Sequence, residues 1–249
     1  MRILAGLATM YLIITPALSA QSPVEREQAR AQNRFGWEQM RSEAFEAAVK
    51  HFQRAAELDP GFEAPFYGLG RAHLALKQYV SAISALVRCR DLYRAQVGRQ
   101  FSNQADAQRY RNDRVTEIDE MIRQVQSGPV TLQAQEQIRQ LQDRKRQLQD
   151  AIARGSSVTI EAAVPAWVSL SLGSAYFRLG KLADAEREYK ATIDADRKSG
   201  EAYNNLAVVY LETGRIPDAE AALASAKRVG FRVNPQLEQA IKGRQNIRK

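Results

Sequence analysis

What most constrains this chain is that it repeats its own pattern at a spacing of 34 residues. Leu172 is answered by Leu206, Tyr176 by Tyr210, Gly180 by Gly214, Ala185 by Ala219, and Tyr189 by Leu223. Leu172 and Tyr176 are four apart, as are Ala185 and Tyr189, so each pair falls on one face of a helix. Gly180 and Gly214 stand where the first helix of each unit has to stop, because glycine accepts the left-handed backbone of a helix C-terminus. Each unit therefore reads as two short antiparallel helices. Ala185 and Ala219 are small enough to let the paired helices approach closely. A unit of this size cannot bury its apolar face alone, and stacked neighbours supply the core.

This period, with its large–small–aromatic and later small–aromatic spacing, resembles the tetratricopeptide repeat. The resemblance implies an all-α fold, a solenoid of helical hairpins wound as a right-handed superhelix. Two earlier units fit the same template. Residues 29–62 carry Phe35, Gly36, Ala48, Phe52, Ala55 and Pro60 at matching positions, with Gln32 and Gln39 where the family has aromatic residues. Residues 63–96 carry Phe66, Leu69, Gly70, His73, Ala82, Leu86 and Cys89, so Cys89 takes the place of a small buried alanine. Residues 21–28 read as a polar, frayed lead-in to the first unit.

The period then fails. Gly70 and Gly173 are 103 residues apart, one period plus 69, which makes residues 97–160 an insertion between repeats 1–2 (21–96) and repeats 3–4 (161–233). Within it Val115, Ile118, Ile122 and Val125 form one apolar stripe, and Ile138, Leu141, Leu148 and Ile152 form a second, with Lys145 in the gap. Two stripes separated by Ser127, Gly128 and Pro129 predict a long antiparallel helical hairpin with coiled-coil character, each arm about 20 residues or roughly 30 Å long. The Gln, Arg, Asp and Glu residues around the stripes read as a solvated exterior. Two heavily degenerate repeats are the alternative. Whether the hairpin projects or folds back stays open, and an unsatisfied stripe would offer a route to a homo-oligomer.

The first twenty residues combine Arg2, an apolar run from Ile3 to Ile14, Pro16, and small residues at Ser19 and Ala20. That resembles a secretory signal peptide (1–20), and implies a protein exported to the periplasm or secreted. At the other end, a last helix (234–249) opening at Pro235 reads as the cap of the solenoid. From Lys227 to the C-terminus there are seven basic residues (Lys227, Arg228, Arg232, Lys242, Arg244, Arg248, Lys249) against the one acid Glu238, most of the chain's formal net charge of +8. A basic end of this kind suits an anionic envelope surface or serves as a solubilising outer face. Nucleic acid is disfavoured, since no aromatic platform for single strands accompanies the charge.

Signatures of catalysis are missing: no paired histidines with a glutamate, no phosphate loop, no nucleophile elbow. His51 and His73 fall in different repeats, and Cys89 is the only cysteine, so neither a metal, a cofactor nor an enzyme is expected. The expected function is a non-catalytic interaction scaffold of the cell envelope that binds a partner peptide or helix in the repeat groove. The alternative is a structural spacer held to an anionic surface by the basic end. By resemblance, the first helices of the repeats line the groove and present Asn33 and Trp37, Tyr67 and Arg71, Leu170 and Ser174, and Asn204 and Val208. Packing against a neighbouring helix is the competing role for Trp37 and Tyr67.

Overall fold

The computed structural model describes residues 22–96, 104–126, 132–154 and 164–246, and these are helical with no strand among them. The signal-like segment lies outside the described residues. Helices α1 (Pro23–Arg41) and α2 (Phe45–Leu58) form the first pair, and α3 (Glu63–Ala75) and α4 (Tyr79–Gln96) the second. Then come α5 (Gln104–Gln126) and α6 (Leu132–Ala153), followed by α7 (Ala166–Arg178) with α8 (Leu182–Ala195) and α9 (Gly200–Glu212) with α10 (Ile216–Arg228). Helix α11 (Pro235–Asn246) closes the chain.

The lead-in expected at residues 21–28 is helical from Pro23. Ser22 caps α1 by accepting from the Glu25 backbone N–H (3.1 Å), and Glu25 accepts from the Ser22 backbone N–H (2.8 Å). This reciprocal box, with proline at the first turn, satisfies donors that would otherwise fray the end.

Each pair is joined by a tight turn through a left-handed residue. In repeats 3 and 4 that residue is Gly180 (φ +76°) or Gly214 (φ +72°). At the equivalent positions of repeats 1 and 2 it is Glu43 and Lys77, both at φ +58°, where a Cβ is sterically disfavoured by about 1–2 kcal/mol.

Close packing fixes the pairs. Phe52 of α2 is fully buried and wedged between α1 and α3, where a Cβ added at Gly36 or Gly68 would sit 2.5 or 2.4 Å from its ring. Burying such a ring contributes about 1.5–3 kcal/mol. Tyr189 of α8 lies in the same way over Gly173 of α7, where an added Cβ would sit 2.7 Å from its ring. The alanines Ala48, Ala82, Ala185 and Ala219 at the helix crossings are wholly buried. Stacking runs α2 on α3, α4 on α7, and α8 on α9. Because α4 meets α7 directly, repeats 2 and 3 are neighbours, and α5 and α6 stand outside the stack. Arg90 of α4 reaches Glu188 of α8 at 3.0 Å across that junction. At the far end Ile241 of α11 is buried against repeat 4, and Arg244 Nη1 donates to the Leu211 carbonyl (2.9 Å).

Helices α5 and α6 lie side by side with Ile118, Ile122 and Leu141 buried, and Lys145 Nζ bridges to Asp119 at 2.7 and 2.9 Å. Helix α5 also lies against the repeats.

Candidate functional site

The first helices α1, α3, α7 and α9 form one face of the stack, and the two halves of that face differ. Over repeats 1 and 2, helix α5 covers it. Trp37 is only 4% exposed, with its ring edge-on to Phe52 (5.2 Å between centroids) and 6.1 Å from Tyr67. Glu117 and Met121 of α5 line one small cavity together with Trp37, Ala64, Tyr67, Tyr93 and Trp167. Asn33, Trp37 and Tyr67, expected on an open groove, are therefore buried under the chain's own helix.

The charged flanks of the insertion, expected to be solvated, turn inward on α5. Arg30 grips Asp113 through Nε and Nη2 at 2.9 and 2.6 Å. Arg114 Nη2 donates to Glu63 Oε2 at 2.5 Å, and its Nη1 lies 2.8 Å from Glu117 Oε2. The Tyr93 hydroxyl donates to Glu117 Oε2 (3.3 Å), and Arg41 approaches Glu120 at 3.7 Å. The Arg114 guanidinium also lies over the rings of Tyr93 (4.7 Å) and Tyr110 (5.1 Å). Such ion pairs stay charged in a buried site only because each has an opposite partner. Burial pushes the Glu117 carboxyl up to about 7, against the pull of Arg114. It also raises the Tyr110 phenol to about 12 and the Tyr93 phenol well above its ordinary range.

Over repeats 3 and 4, α5 reaches only the start of α7, at Trp167. Leu170, Ser174, Asn204 and Val208 are half-buried there. Ser174 Oγ donates to the Leu170 carbonyl (3.0 Å) and accepts from the Tyr189 hydroxyl (3.4 Å), while Asn204 Nδ2 donates to Asn205 Oδ1 (3.3 Å). At the border between the halves Arg71 Nη1 donates to the Tyr67 hydroxyl (3.1 Å). Burial raises the nearby Glu201 carboxyl, with Arg71 opposing. This half presents amides, hydroxyls and an aliphatic edge, suited to hydrogen bonding along a peptide or helix.

Sequence reasoning missed Tyr110, Arg114, Glu117 and Met121. They recur at helical spacing, one row round from the Val115–Ile118–Ile122–Val125 stripe, but two of the four are charged and a search for apolar rows passes over them. Of the basic end, Arg228, Arg232 and Lys242 are exposed, Lys227 is bridged to Glu238 (2.8 Å), and Arg244 is engaged at Leu211. Arg248 and Lys249 lie outside the described residues. His51 shares a hydrogen bond with Gln32 (2.8 Å) and His73 with Gln78 (2.7 Å). Among the described residues no cluster of metal-ligating side chains occurs, and no helix is long and apolar enough to cross a membrane.

Among curated proteins, none matches the chain. Solved structures similar to it include TTC0263, a thermophilic TPR protein of Thermus thermophilus (18% identity, 87% of this chain and 98% of that one, TM-score 0.36). They also include PilW, a widely conserved type IV pilus biogenesis factor (13% identity, 88% and 86%, TM-score 0.42). A third is YrrB, a TPR protein with an unusual peptide-binding site (15% identity, 88% and 93%, TM-score 0.30). Sequence profiles described as tetratricopeptide repeat match residues 39–93 and 170–230. With its helix pairs recurring at the same spacing on both sides of the insertion, the chain belongs to the tetratricopeptide-repeat family.

Proposed function

We propose that the protein is a non-catalytic interaction scaffold of the cell envelope, reached by export, that binds a helix or extended peptide of a partner protein along its first-helix face. One observation carries this reading: the same face of repeats 1 and 2 already receives a helix, α5, with rings below and paired charges around it. The corresponding face of repeats 3 and 4, with Leu170, Ser174, Asn204 and Val208, is where the partner docks.

Affinity capture from an envelope extract with residues 21–249, washed at low and then moderate salt, tests the reading. The expected result is a discrete protein that survives the salt wash and is lost from the Leu170→Asp, Asn204→Ala variant. Release of everything by salt, with lipid or polymer in the eluate, would instead favour a spacer held by Arg228, Arg232 and Lys242, because surface attraction is screened within about 8–10 Å at such ionic strength. Export itself is tested by fusing residues 1–40 to a reporter active only outside the cytoplasm; an inactive fusion would place the scaffold elsewhere.

A further inference from the structure

Two seams of α5 differ in chemistry. Toward α6 the contact is the aliphatic row Ile118, Ile122 and Val125, with Leu141 opposite. Toward the repeats, Met121 lies beside Trp37 and Tyr67, flanked by three ion pairs, Asp113 with Arg30, Arg114 with Glu63 and Glu120 with Arg41, and by the hydrogen bond from the Tyr93 hydroxyl to Glu117. A seam of ion pairs, of which only Arg114 with Glu63 is fully buried, adds little net stability compared with an apolar one, and it fixes register and partner choice. The repeat stack is also complete without this hairpin, since α4 packs directly on α7. Helix α5 therefore meets the repeats as a ligand meets a receptor, while it meets α6 as part of one body.

We propose that the first-helix face of repeats 1 and 2 is a second docking site, for a partner's amphipathic helix, and that α5 is its built-in occupant. The matching helix carries an acid and an arginine in succession, for Arg30 and Glu63, and an acid one turn further for Tyr93. A methionine or similar flexible apolar residue two turns past the arginine meets Trp37. An arriving helix of that pattern displaces α5, and the α5–α6 hairpin swings away as a unit. This rests on the reading of the repeats as a scaffold, but concerns the other half of the face.

The probe is a fluorescent peptide of residues 104–126, titrated against residues 21–249. The intact chain, with its site filled, binds the peptide weakly, since apparent affinity falls with the fraction of open sites. A chain whose own helix is disabled by Met121→Asp and Arg114→Ala binds it at least tenfold tighter. Adding Glu63→Lys to that chain removes the gain, and a peptide carrying Arg114→Glu restores binding to it. Equal binding by the intact and disabled chains, or a gain that survives Glu63→Lys, overturns the proposal. So does loss of cooperative melting in the disabled chain and in the milder Arg30→Ala variant, which would make α5 a core element. Envelope capture through Leu170 and Asn204 is untouched by any of these outcomes, so the two readings fail separately.

Discussion

Repeats 1–2 and repeats 3–4 are built on one template and finished differently. In the second pair the turns pass through Gly180 and Gly214, Ile241 seals the end, and α5 reaches the first-helix face only at Trp167, the start of α7. The first pair carries side chains at both left-handed turns, Glu43 and Lys77, and its face is occupied by α5. The same fold thus supplies an open surface in one half and a filled one in the other. The difference lies in where buried charge finds its partner: Glu188 of repeat 3 takes Arg90 of the neighbouring repeat, whereas Glu63 of repeat 2 takes Arg114 of α5.

The largest effect breaks the shared template. Ala219→Glu or Ala185→Glu places a charge at a fully buried crossing and abolishes cooperative folding of repeats 3–4, a loss of several kcal/mol that thermal melts followed by circular dichroism will read. Next, Arg114→Ala removes the guanidinium that the buried Glu63 and Glu117 share. Breaking a buried pair costs about 3–5 kcal/mol, so α5 releases. Both tryptophans of the chain, Trp37 and Trp167, line the cavity against α5, so their emission shifts red, and hydrogen exchange accelerates in α5 while α9 and α10 keep their protection. Unchanged emission would mean α5 stays docked on other contacts.

A smaller effect follows from Glu117, whose carboxyl is raised from 4.5 when free to about 7 when α5 is docked. Docking therefore takes up a proton. It is strongest below about 4.5, weakens as pH rises toward about 7, and is flat beyond. Arg114, Glu63, Tyr93, Asp113 and Tyr110 surround the group. Tryptophan emission followed between about pH 5 and 8 reports this slope, and Glu117→Gln removes it. The smallest effect sharpens the contrast at the turns. Glu43→Gly and Lys77→Gly relieve a left-handed backbone and stabilise repeats 1–2 by about 1 kcal/mol each, whereas Gly180→Ala and Gly214→Ala destabilise by a similar amount. Melting temperatures that move together in all four variants would deny the difference.

The solenoid was legible because periodicity is a property of sequence: Leu172 with Leu206 and Gly180 with Gly214 disclose both helices and turns before any packing is known. The apolar seam of the insertion was legible for the same reason. Its placement over repeats 1–2 was not, since Arg114 and Glu63 stand 51 positions apart and nothing local marks either as buried. A charged residue is assigned to solvent until its partner is found. Packing was one of two roles the sequence left to Trp37 and Tyr67, and the choice between them depends on that placement. At Pro23 the missed helix start was avoidable, as Ser22 and Glu25 spell out a capping box.

Cys89 lies wholly buried on α4, its thiol pushed well above its ordinary range by burial, and it is the chain's one cysteine. Alkylation needs an accessible thiolate, so the native chain is silent to thiol reagents. Every modification event then timestamps a breathing motion of repeats 1–2, and motions confined to repeats 3–4 leave no trace. The protein carries a stopwatch wired to one half of itself.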